Sequence, residues 1–480
     1  MISTILSSLF APLFPGRPSR NKPDIKHVAI IGAGAAGIAT AKYVQAERHF
    51  STITLFERRD KTGGIWNRDS PHSTTSCSFA NACSDNASCK YPSPIYDGLE
   101  SNIPSPVMQY SDYPFVNKTP LLPRHHEVLQ YLRDYASDVQ DHISFNSEVI
   151  AVSPSSPSAR SKWTLTIRHV DSGIQHEEQY DAVVVATGRY DHPFVPEIPG
   201  LEEWKQQHPD TIIHSKFYRN PSAFIDKKVL LVGYSASGVD IGAQIDRVCA
   251  RPLLVSIKDW TPEAAQKQAR RSECILPEID EFLAAERTVR FKGGHLEHDV
   301  DYVVLCTGYV FQYPFLTSIP GAASGECNKD TYQHIFYVPD PTIAFNLVPL
   351  RVIAFPFSEA QAAAIVRVWS GRLPLPELSE MREWQQRVRE QRGAGKRFHR
   401  MSYPVDVDYM NELHDWCATA GKREGLENGG EGKVPPYWGE RERWLRQQVH
   451  AIAKATQDKG DERYNVYTLQ DVGFLYKDTS

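Results

Sequence analysis

A glycine-rich turn near the start of the chain restricts the fold more than any other feature. The apolar run at residues 28–31 leads into Gly32-Ala33-Gly34-Ala35-Ala36-Gly37, and a helical pattern follows. Gly32 permits a tight turn, Gly34 lets the backbone approach a pyrophosphate, and Gly37 lets the helix pack on the strand. The N-terminus of that helix offers free N–H groups to phosphate oxygens. We therefore predict that residues 32–37 bind a dinucleotide.

The end of the next strand indicates which dinucleotide binds there. The apolar run at residues 53–56 ends in Glu57, and Gly63-Gly64-Ile65-Trp66 follows shortly afterwards. A carboxylate at the position of Glu57 accepts hydrogen bonds from ribose hydroxyls and repels a 2′-phosphate. The first site is therefore predicted to bind FAD or NAD, and not NADP. Gly64, Ile65 and Trp66 are expected to lie along the flat cofactor, with plain core packing as the alternative for Trp66.

A second copy of the pattern occurs later in the chain. The apolar run at residues 229–232 leads into Gly233-Tyr-Ser235-Ala236-Ser237-Gly238, where Ser235 replaces the middle glycine. Lys258 follows Gly238 at the distance at which Glu57 follows Gly37. A cation there can bind the 2′-phosphate of NADP. We predict an NADPH site formed by Gly233, Ser235, Ala236, Ser237, Gly238 and Lys258, and an ordinary surface lysine is the alternative for Lys258.

The other apolar runs indicate an α/β fold with two dinucleotide-binding, Rossmann-like domains. Several runs are uninterrupted, as in strands buried on both faces of a parallel sheet. Residues 181–188 and 301–308 share an acid, a buried strand and a Thr-Gly exit, and a proline-rich stretch follows the first. We interpret these segments as the outgoing and returning connections of an inserted domain. The alternative is a duplication without a domain crossing.

The predicted domain order follows from that interpretation. It comprises a flexible leader (1–23), the first part of an FAD-binding domain (24–195), an inserted NADPH-binding domain (196–311), and the second part of the FAD-binding domain with C-terminal helices (312–480). Ser358 and Gln361 form a capping-box pattern that predicts the start of a helix, and Gly371 predicts its end. The last twenty or so residues are expected to be loosely held.

Composition excludes several classes of function. The net charge of -5 provides no basic surface for nucleic acid. The 8 cysteines include no Cys-x-x-Cys pair, which argues against a disulfide scaffold and against a pyridine-nucleotide disulfide reductase. Cys77, Cys83 and Cys89 fit no common zinc spacing, so we expect ordinary thiols in a loop and no metal site. A cytoplasmic, reduced location is the expectation.

The leader bears on membrane association. No run approaches the length of a membrane span, and residues 1–15 are mildly apolar but lack the basic start of a signal peptide. We expect a soluble protein with a flexible leader. A weak contact of the leader with the cytosolic face of a membrane is the alternative, and a homodimer is left open.

From residue 26 to residue 442 the chain resembles the flavin-containing monooxygenase family, the class B flavoprotein monooxygenases, and most closely its fungal members. The resemblance rests on motifs at residues 32–37, 63–66, 99–104, 186–188, 214–219, 306–309, 333–341 and 368–372. It implies an FAD enzyme that uses NADPH and O2, similar to N,N-dimethylaniline monooxygenase. In such enzymes a C4a-hydroperoxyflavin, protected from water, oxygenates a soft nitrogen or sulfur atom of a small nucleophilic molecule. A role in fungal secondary metabolism fits the resemblance.

The resemblance also implies roles for three polar residues. Asn102 matches the active-site amide that lies beside the flavin and the nicotinamide, and an amide suits that place because it donates and accepts without titrating. Ser101 is expected to contact NADPH, and Gln361 to approach the flavin with the positive end of its helix. The alternatives are a turn residue for Asn102 and a helix cap for Gln361.

Two further residues bear on the type of oxygenation. His214 and Tyr218 match the second half of the family's identifying motif, whereas His208 and Asp210 stand where that motif has Phe and Gly. The resemblance implies a structural, hydrogen-bonded role for His214. Tyr218 favours heteroatom oxidation, since enzymes that perform Baeyer–Villiger oxygenation of ketones usually carry Trp there. Such a ketone oxygenase and a non-catalytic FAD-binding protein are the alternatives.

Overall fold

The computed structural model of the protein describes residues 24–68, 91–155, 162–268, 272–321 and 330–477. The predicted leader and the three cysteines at positions 77, 83 and 89 lie outside these residues. No helix in the described part of the chain is both long enough and apolar enough to span a membrane.

The helices and strands follow one another in three groups. The first group is β1 (His27–Ile31), α1 (Ala35–Ala46), β2 (Thr52–Phe56), a 3-10 helix (Gly64–Trp66), α2 (Ser105–Met108), α3 (His125–Tyr135), β3 (Ile143–Ser144), β4 (Ser147–Pro154), β5 (Trp163–His169), β6 (Gln175–Tyr180) and β7 (Ala182–Val185). The second is β8 (His192–Pro193), α4 (Leu201–Gln207), β9 (Ile212–His214), β10 (Val229–Val232), α5 (Ala236–Ile245), β11 (Leu254–Ser256), α6 (Pro262–Gln268), β12 (Cys274–Leu276), β13 (Ile279–Leu283), β14 (Thr288–Phe291), β15 (Leu296–Glu297), β16 (Tyr302–Leu305) and β17 (Tyr309–Val310). The third is β18 (Thr331–Tyr332), β19 (Phe336–Tyr337), β20 (Ile343–Phe345), α7 (Ala354–Trp369), α8 (Leu378–Arg392), α9 (Val405–Ala418), α10 (Glu427–Gly430) and α11 (Glu440–Gln457), and two 3-10 helices follow (Gly460–Asn465 and Gln470–Val472).

The first sheet contains the strand of the first glycine turn. Its order is β18-β19-β20-β7-β1-β2-β3, and β1 pairs in parallel with both β2 and β7. All four residues of β7 are buried, as an uninterrupted apolar run predicts for a central parallel strand. Helices α1 and α7 share the main hydrophobic core with this sheet, and β4, β5 and β6 form a separate antiparallel sheet.

The second sheet contains the strand of the second glycine turn. Its order is β12-β11-β10-β16-β9, and its neighbouring strands pair in parallel. These strands all lie between Ile212 and Leu305, and residues of the first sheet precede and follow them in the chain. The fold is therefore α/β with two Rossmann-like units and a helical C-terminal region, as predicted.

The two segments that echo each other in sequence occupy equivalent places in the two units. Asp181 accepts hydrogen bonds from the backbone N–H groups of Lys26 and His27 at the start of β1, each at 2.9 Å. Asp301 accepts one from Lys228, directly before β10, also at 2.9 Å. After these segments the two connections meet, because β8 and β17 pair in antiparallel fashion. That pairing supports an inserted domain with boundaries at 195 and 311, which we retain as a proposal.

The start of α7 corrects the capping-box prediction. The helix begins at Ala354, and Ser358 lies inside it with its hydroxyl donating to the carbonyl of Phe355 at 2.7 Å. The first turn is Ala-Phe-Pro-Phe, which is mostly buried, and Pro356 is tolerated there because N–H groups of a first turn have no partner within the helix. Packing of these apolar residues therefore extends the helix by one turn. Its end after Trp369, with Gly371 in the left-handed region (φ 77°), agrees with the prediction.

Residues 466–474 are held in place, contrary to the prediction for this part of the chain. Val466 is 5% exposed, and Leu469, Val472 and Phe474 pack against the main hydrophobic core. The apolar residues are few and widely spaced, which is why the sequence pattern suggested a loose end. Together they nevertheless dock the segment onto the first domain.

Candidate active site

The first glycine turn has the geometry that a dinucleotide needs. Gly32 has a φ of 102°, and its N–H donates to the carbonyl of Phe56 at 2.8 Å. A Cβ on Gly37 would lie 1.8 Å from the carbonyl oxygen of Gly32, so only glycine allows α1 to pack on the turn. Helix α1 begins without a side-chain cap, which leaves its first N–H groups available to phosphate oxygens.

Glu57 is built into this turn. Its side chain is 4% exposed, and its two carboxylate oxygens accept from the backbone N–H groups of Ala33 and Arg59, each at 2.9 Å. A carboxylate oxygen has more than one lone pair, so each can accept a second donor such as a ribose hydroxyl. The predicted acid therefore lies beside the predicted glycine turn, already oriented.

The Gly63–Trp66 segment packs directly on the turn. The N–H of Gly63 donates to the carbonyl of Ala33 at 3.0 Å, and a Cβ on Gly64 would lie 2.8 Å from the Cα of Gly34. This close approach explains the paired glycines. Trp66 is partly buried and packs against the main core, so packing accounts for at least part of its ring. Its contact with a cofactor stays a prediction.

The second glycine turn repeats the first. Gly233 has a φ of 94° and donates its N–H to the carbonyl of Ser256 at 2.9 Å, and a Cβ on Gly238 would lie 2.3 Å from the carbonyl oxygen of Gly233. Helix α5 begins after Ser235 without a side-chain cap. Ser235, Ala236 and Ser237 are exposed, so this helix N-terminus is open to a phosphate. The second turn therefore has the same backbone geometry as the first, although Ser235 occupies the position of the middle glycine.

Strand register corrects the equivalence of Lys258 and Glu57. Ile31 pairs with Phe56 in the first sheet, and Val232 pairs with Ser256 in the second. Counting the same number of residues from each glycine therefore misaligns the sites by one, since the helix and the connection that follows it are together one residue shorter in the second unit. The counterpart of Glu57 is Ile257, which is 7% exposed, and the exposed Lys258 follows it. The second site thus has no carboxylate at that place, and a cation beside it.

The loop that carries Asn102 bridges the two units. Tyr96 donates a short hydrogen bond to Asp240 on α5, and the N–H of Asp97 donates to the carbonyl of Arg219 at 2.9 Å. Asn102 is exposed, and no residue in the described ranges hydrogen-bonds its amide. Ser101 is 5% exposed, and its hydroxyl donates to the carbonyl of Ile103 at 2.9 Å. The Asn102 amide is therefore free to meet a ligand, whereas the Ser101 hydroxyl is engaged within the turn.

Gln361 lies two turns inside α7 and is fully buried. Its amide oxygen accepts from the N–H of Leu347 at 2.7 Å, and its amide nitrogen donates to the hydroxyl of Tyr409 at 2.9 Å. Gln361 thus supports the segment that leads into α7, and its contact with the flavin stays a prediction.

His214 and Tyr218 lie at and just after the end of β9 in the second unit, and both are buried. The Nε2 of His214 bonds the carbonyl of Gly308 at 2.9 Å, and its Nδ1 accepts from the N–H of Lys216 at 3.1 Å. Burial lowers the pKa of His214 to about 4, so the ring is neutral near pH 7. Tyr218 is 1% exposed and donates to Gln244 at 3.0 Å. Both arrangements agree with structural roles.

An ion-pair network joins the two domains, and sequence reasoning missed it. Asp191 in the outgoing connection accepts from Arg58 at 2.9 Å and from Lys216 at 3.1 Å. Burial alone would raise the pKa of Asp191, but these two cations outweigh it and hold the pKa below its ordinary range. Lys216 lies within one of the motifs, yet nothing in the sequence indicates that its partner is Asp191.

A sequence profile of the family described as flavin-binding monooxygenase-like matches residues 25–262 and 273–427. The chain belongs to this family. Its cofactors are FAD and NADPH, and its co-substrate is O2, with a small molecule as substrate. Such an enzyme needs two nucleotide sites, and the assignment of these sites to the two glycine turns stays a prediction.

Relatives and a solved structure support this assignment over most of the chain. Flavin-containing monooxygenase FMO GS-OX-like 4 of Arabidopsis thaliana is 32% identical over 379 residues, which span 76% of this chain and 80% of the relative. Flavin-containing monooxygenase ustF2 of Aspergillus flavus is 27% identical over 495 residues, which span 89% of this chain and 99% of the relative. The structure of S-allyl-L-cysteine S-oxygenase from Allium sativum superposes with a TM-score of 0.74 at 28% identity, covering 94% of this chain and 98% of that one.

Proposed function

We propose that the enzyme uses NADPH and O2 to oxygenate a soft heteroatom, with sulfur ahead of amine nitrogen, on a small molecule. The observation that carries this proposal is the exposed Asn102 amide, on a loop anchored to the helix of the second nucleotide turn. The likeness to an S-oxygenase over nearly the whole chain supports sulfur as the preferred atom.

The residues of the two turns divide the binding work. Bound FAD supplies the redox chemistry, since it accepts hydride from NADPH and activates O2. The first turn and Glu57 would hold the FAD phosphates and ribose, with Gly64 and Ile65 beside the cofactor. Ser235, Ala236 and Ser237 would hold the NADPH phosphates, and Lys258 would bind the 2′-phosphate.

Asn102 is proposed to act beside the flavin, where O2 reacts. Its amide can donate to one partner and accept from another at any ordinary pH, so it can hold an oxygen species without transferring a proton to it. Early protonation of that oxygen species, or entry of water into the site, would release hydrogen peroxide and consume NADPH without forming product. Ser101 and Ile103 set the turn that presents the amide.

Loss of the amide tests this role. We expect Asn102→Ala to reduce product formed per NADPH by at least about tenfold while flavin reduction continues, because a preorganised polar group acts on the later step. Asn102→Asp keeps the shape but removes the donor, and should behave similarly. Unchanged product per NADPH in both variants would refute the catalytic assignment.

Substrate class is tested on the purified holoenzyme. Rapid mixing of NADPH-reduced enzyme with aerated buffer should produce a long-lived, oxygen-dependent flavin absorbance, which a thioether should discharge faster than a tertiary amine and far faster than a cyclic ketone. Faster discharge by the ketone would favour the Baeyer–Villiger alternative. No substrate-dependent consumption of NADPH with any of the three would favour a non-catalytic FAD-binding protein.

Two features of assembly remain part of the proposal. A weak contact of the leader with a membrane surface is tested by comparing vesicle pelleting of the full chain with that of a chain lacking residues 1–20. A homodimer is tested by light scattering at the concentration used for assays. Neither is required by the site.

A further inference from the structure

A partly buried ion pair joins the C-terminal segment to the Asn102 loop. The guanidinium of Arg463 donates from Nε to both carboxylate oxygens of Glu100 at 3.0 Å each, and from Nη2 to one of them at 2.8 Å. The two side chains are 17% and 12% exposed. Glu100 is two residues before Asn102 in the chain. The planar fork of an arginine restricts both distance and angle, so this pair orients the backbone that leads to Asn102.

Further contacts make the same segment a clasp, which we define as residues 463–466. The guanidinium of Arg124 lies 3.8 Å from the ring centre of Tyr464, and the N–H of Leu121 donates to the carbonyl of Val466 at 2.7 Å. Arg124 is also bridged to Glu100 in antiparallel fashion. The clasp therefore holds both sides of the backbone bridge from which the Asn102 loop emerges.

The guanidinium of Arg463 is committed to this position. Its Nη1 donates to the carbonyl of Gly460 at 2.6 Å and lies 3.6 Å from Asp461, and its Nη2 donates to the hydroxyl of Tyr464 at 2.6 Å. Each of its three nitrogens therefore has an acceptor on Glu100, in the clasp or directly before it. A lysine here would keep the charge but lose the fork and these two additional bonds. The arrangement is specific to arginine.

The Asn102 amide itself depends on such anchors. It is exposed and has no hydrogen-bond partner among the described residues, so its position is set by the backbone on either side. On the side of the second nucleotide unit the loop is held through Tyr96 and Asp97. Closer to Asn102 in the chain, Glu100 is held by the clasp.

We propose that Arg463 is a positioning residue, which holds Asn102 in register with the flavin through Glu100 and thereby limits wasteful release of hydrogen peroxide. The inference rests on the catalytic role proposed for Asn102. Arg463 bonds no residue of either glycine turn. Binding of FAD and reduction by NADPH should therefore be spared when it is changed.

The experiment compares three variants of the holoenzyme. Arg463→Ala removes the pair, Arg463→Lys keeps the charge without the fork, and Arg443→Ala is the matched control. Arg443 lies on α11 and donates to Asp408 on α9 at 2.7 Å, so its ion pair involves neither the clasp nor Glu100. Hydrogen exchange of peptides covering residues 99–104 reports loop order, and the ratio of hydrogen peroxide to product reports coupling.

We expect Arg463→Ala to speed exchange at residues 99–104 roughly tenfold and to raise the peroxide-to-product ratio several-fold, because local opening precedes exchange. Arg463→Lys should fall between Arg463→Ala and wild type, and Arg443→Ala should match wild type. Rates of flavin reduction by NADPH should be unchanged in all three.

The outcomes separate this inference from the proposed function. Unchanged exchange at residues 99–104 in both Arg463 variants overturns the clasp, whatever Asn102 does. Faster exchange with an unchanged peroxide ratio overturns the positioning role, provided that Asn102→Ala raises that ratio. Faster exchange together with no effect of Asn102→Ala leaves the clasp standing and refutes the catalytic role of Asn102. If Arg463→Ala does not retain FAD, Arg463→Lys and Glu100→Gln provide the same measurements.

Discussion

The two nucleotide turns share one backbone and differ in what surrounds it. In the first, Glu57 is buried and already bonded to two backbone N–H groups, and Gly63–Trp66 packs on the turn. In the second, Ile257 takes the strand position of Glu57, and the helix N-terminus with Lys258 is exposed. The first arrangement suits a cofactor that stays bound, since folding already orients the polar groups that would bind it. The second suits a nucleotide that arrives and leaves with each turnover.

The largest expected effect comes from filling the glycine contacts. Gly37→Ala should destabilise the protein by more than about 4 kcal/mol and yield little flavin-bound protein, because its Cβ would overlap the backbone of Gly32. Gly238→Ala should retain bound FAD but lower the affinity for NADPH. The yellow colour of the purified variants and thermal unfolding check this, with Gly421→Ala, where the nearest atom is 3.9 Å away, as the control. Equal loss of FAD in both variants would break the comparison.

Removing the buried carboxylate should have the next largest effect. Glu57→Ala takes an acceptor from ribose and leaves the N–H groups of Ala33 and Arg59 without their partner. We expect FAD affinity to fall by about 10- to 100-fold, corresponding to about 1.5–3 kcal/mol for a hydrogen bond to a charged group. Titration of the apoprotein with FAD measures it. Glu57→Gln should lose less, and wild-type affinity in Glu57→Ala would contradict the assignment.

A smaller effect is expected at the second site, because it is exposed to water. Lys258→Ala should raise the KM for NADPH by about 5- to 30-fold, the equivalent of about 1–2 kcal/mol, and leave that for NADH unchanged. Ile257→Glu should shift the preference toward NADH, since it restores the carboxylate of the first site. Initial rates with both nucleotides check this, with the remote Lys292→Ala as control. If Ile257→Glu leaves the preference unchanged, the register assignment has no bearing on specificity.

The smallest effect concerns pH and the first domain. Burial raises the pKa of Glu359 on α7 from its ordinary value of 4.5 to about 7, although its oxygens accept hydrogen bonds from the N–H and hydroxyl of Ser111. The folded protein keeps this proton at pH values where the unfolded chain has lost it, so stability falls as the pH rises from 4.5 toward 7 and levels off above.

The wild type should therefore lose about 1 kcal/mol more stability than Glu359→Gln between about pH 6 and about pH 8. Denaturant unfolding at both pH values measures the difference. Glu57→Gln serves as a comparison within the same domain. Parallel pH profiles for wild type and Glu359→Gln would rule out Glu359 as the source.

Much of the fold could be predicted because its signals are local. The glycine turns, the buried strands and the acids at their starts each lie within one segment, and the duplicated acids prove to cap equivalent strands. The start of α7 could not be predicted from its capping pattern, because packing of apolar residues against the core outweighed a cap worth about 1 kcal/mol.

The sequence by itself determined the two Rossmann-like units, since each depends on residue types at fixed local spacing. It also led to the roles that we predict for Glu57 and Asn102. Only the tertiary structure decided that Ile257 is the counterpart of Glu57, because strand register is set by pairing in the sheet and not by the number of residues after the glycine turn. It also decided that Asp191 joins Arg58 to Lys216, and that Arg463 reaches Glu100 across 363 positions. Such contacts form between segments that only folding brings together, so no local pattern records them.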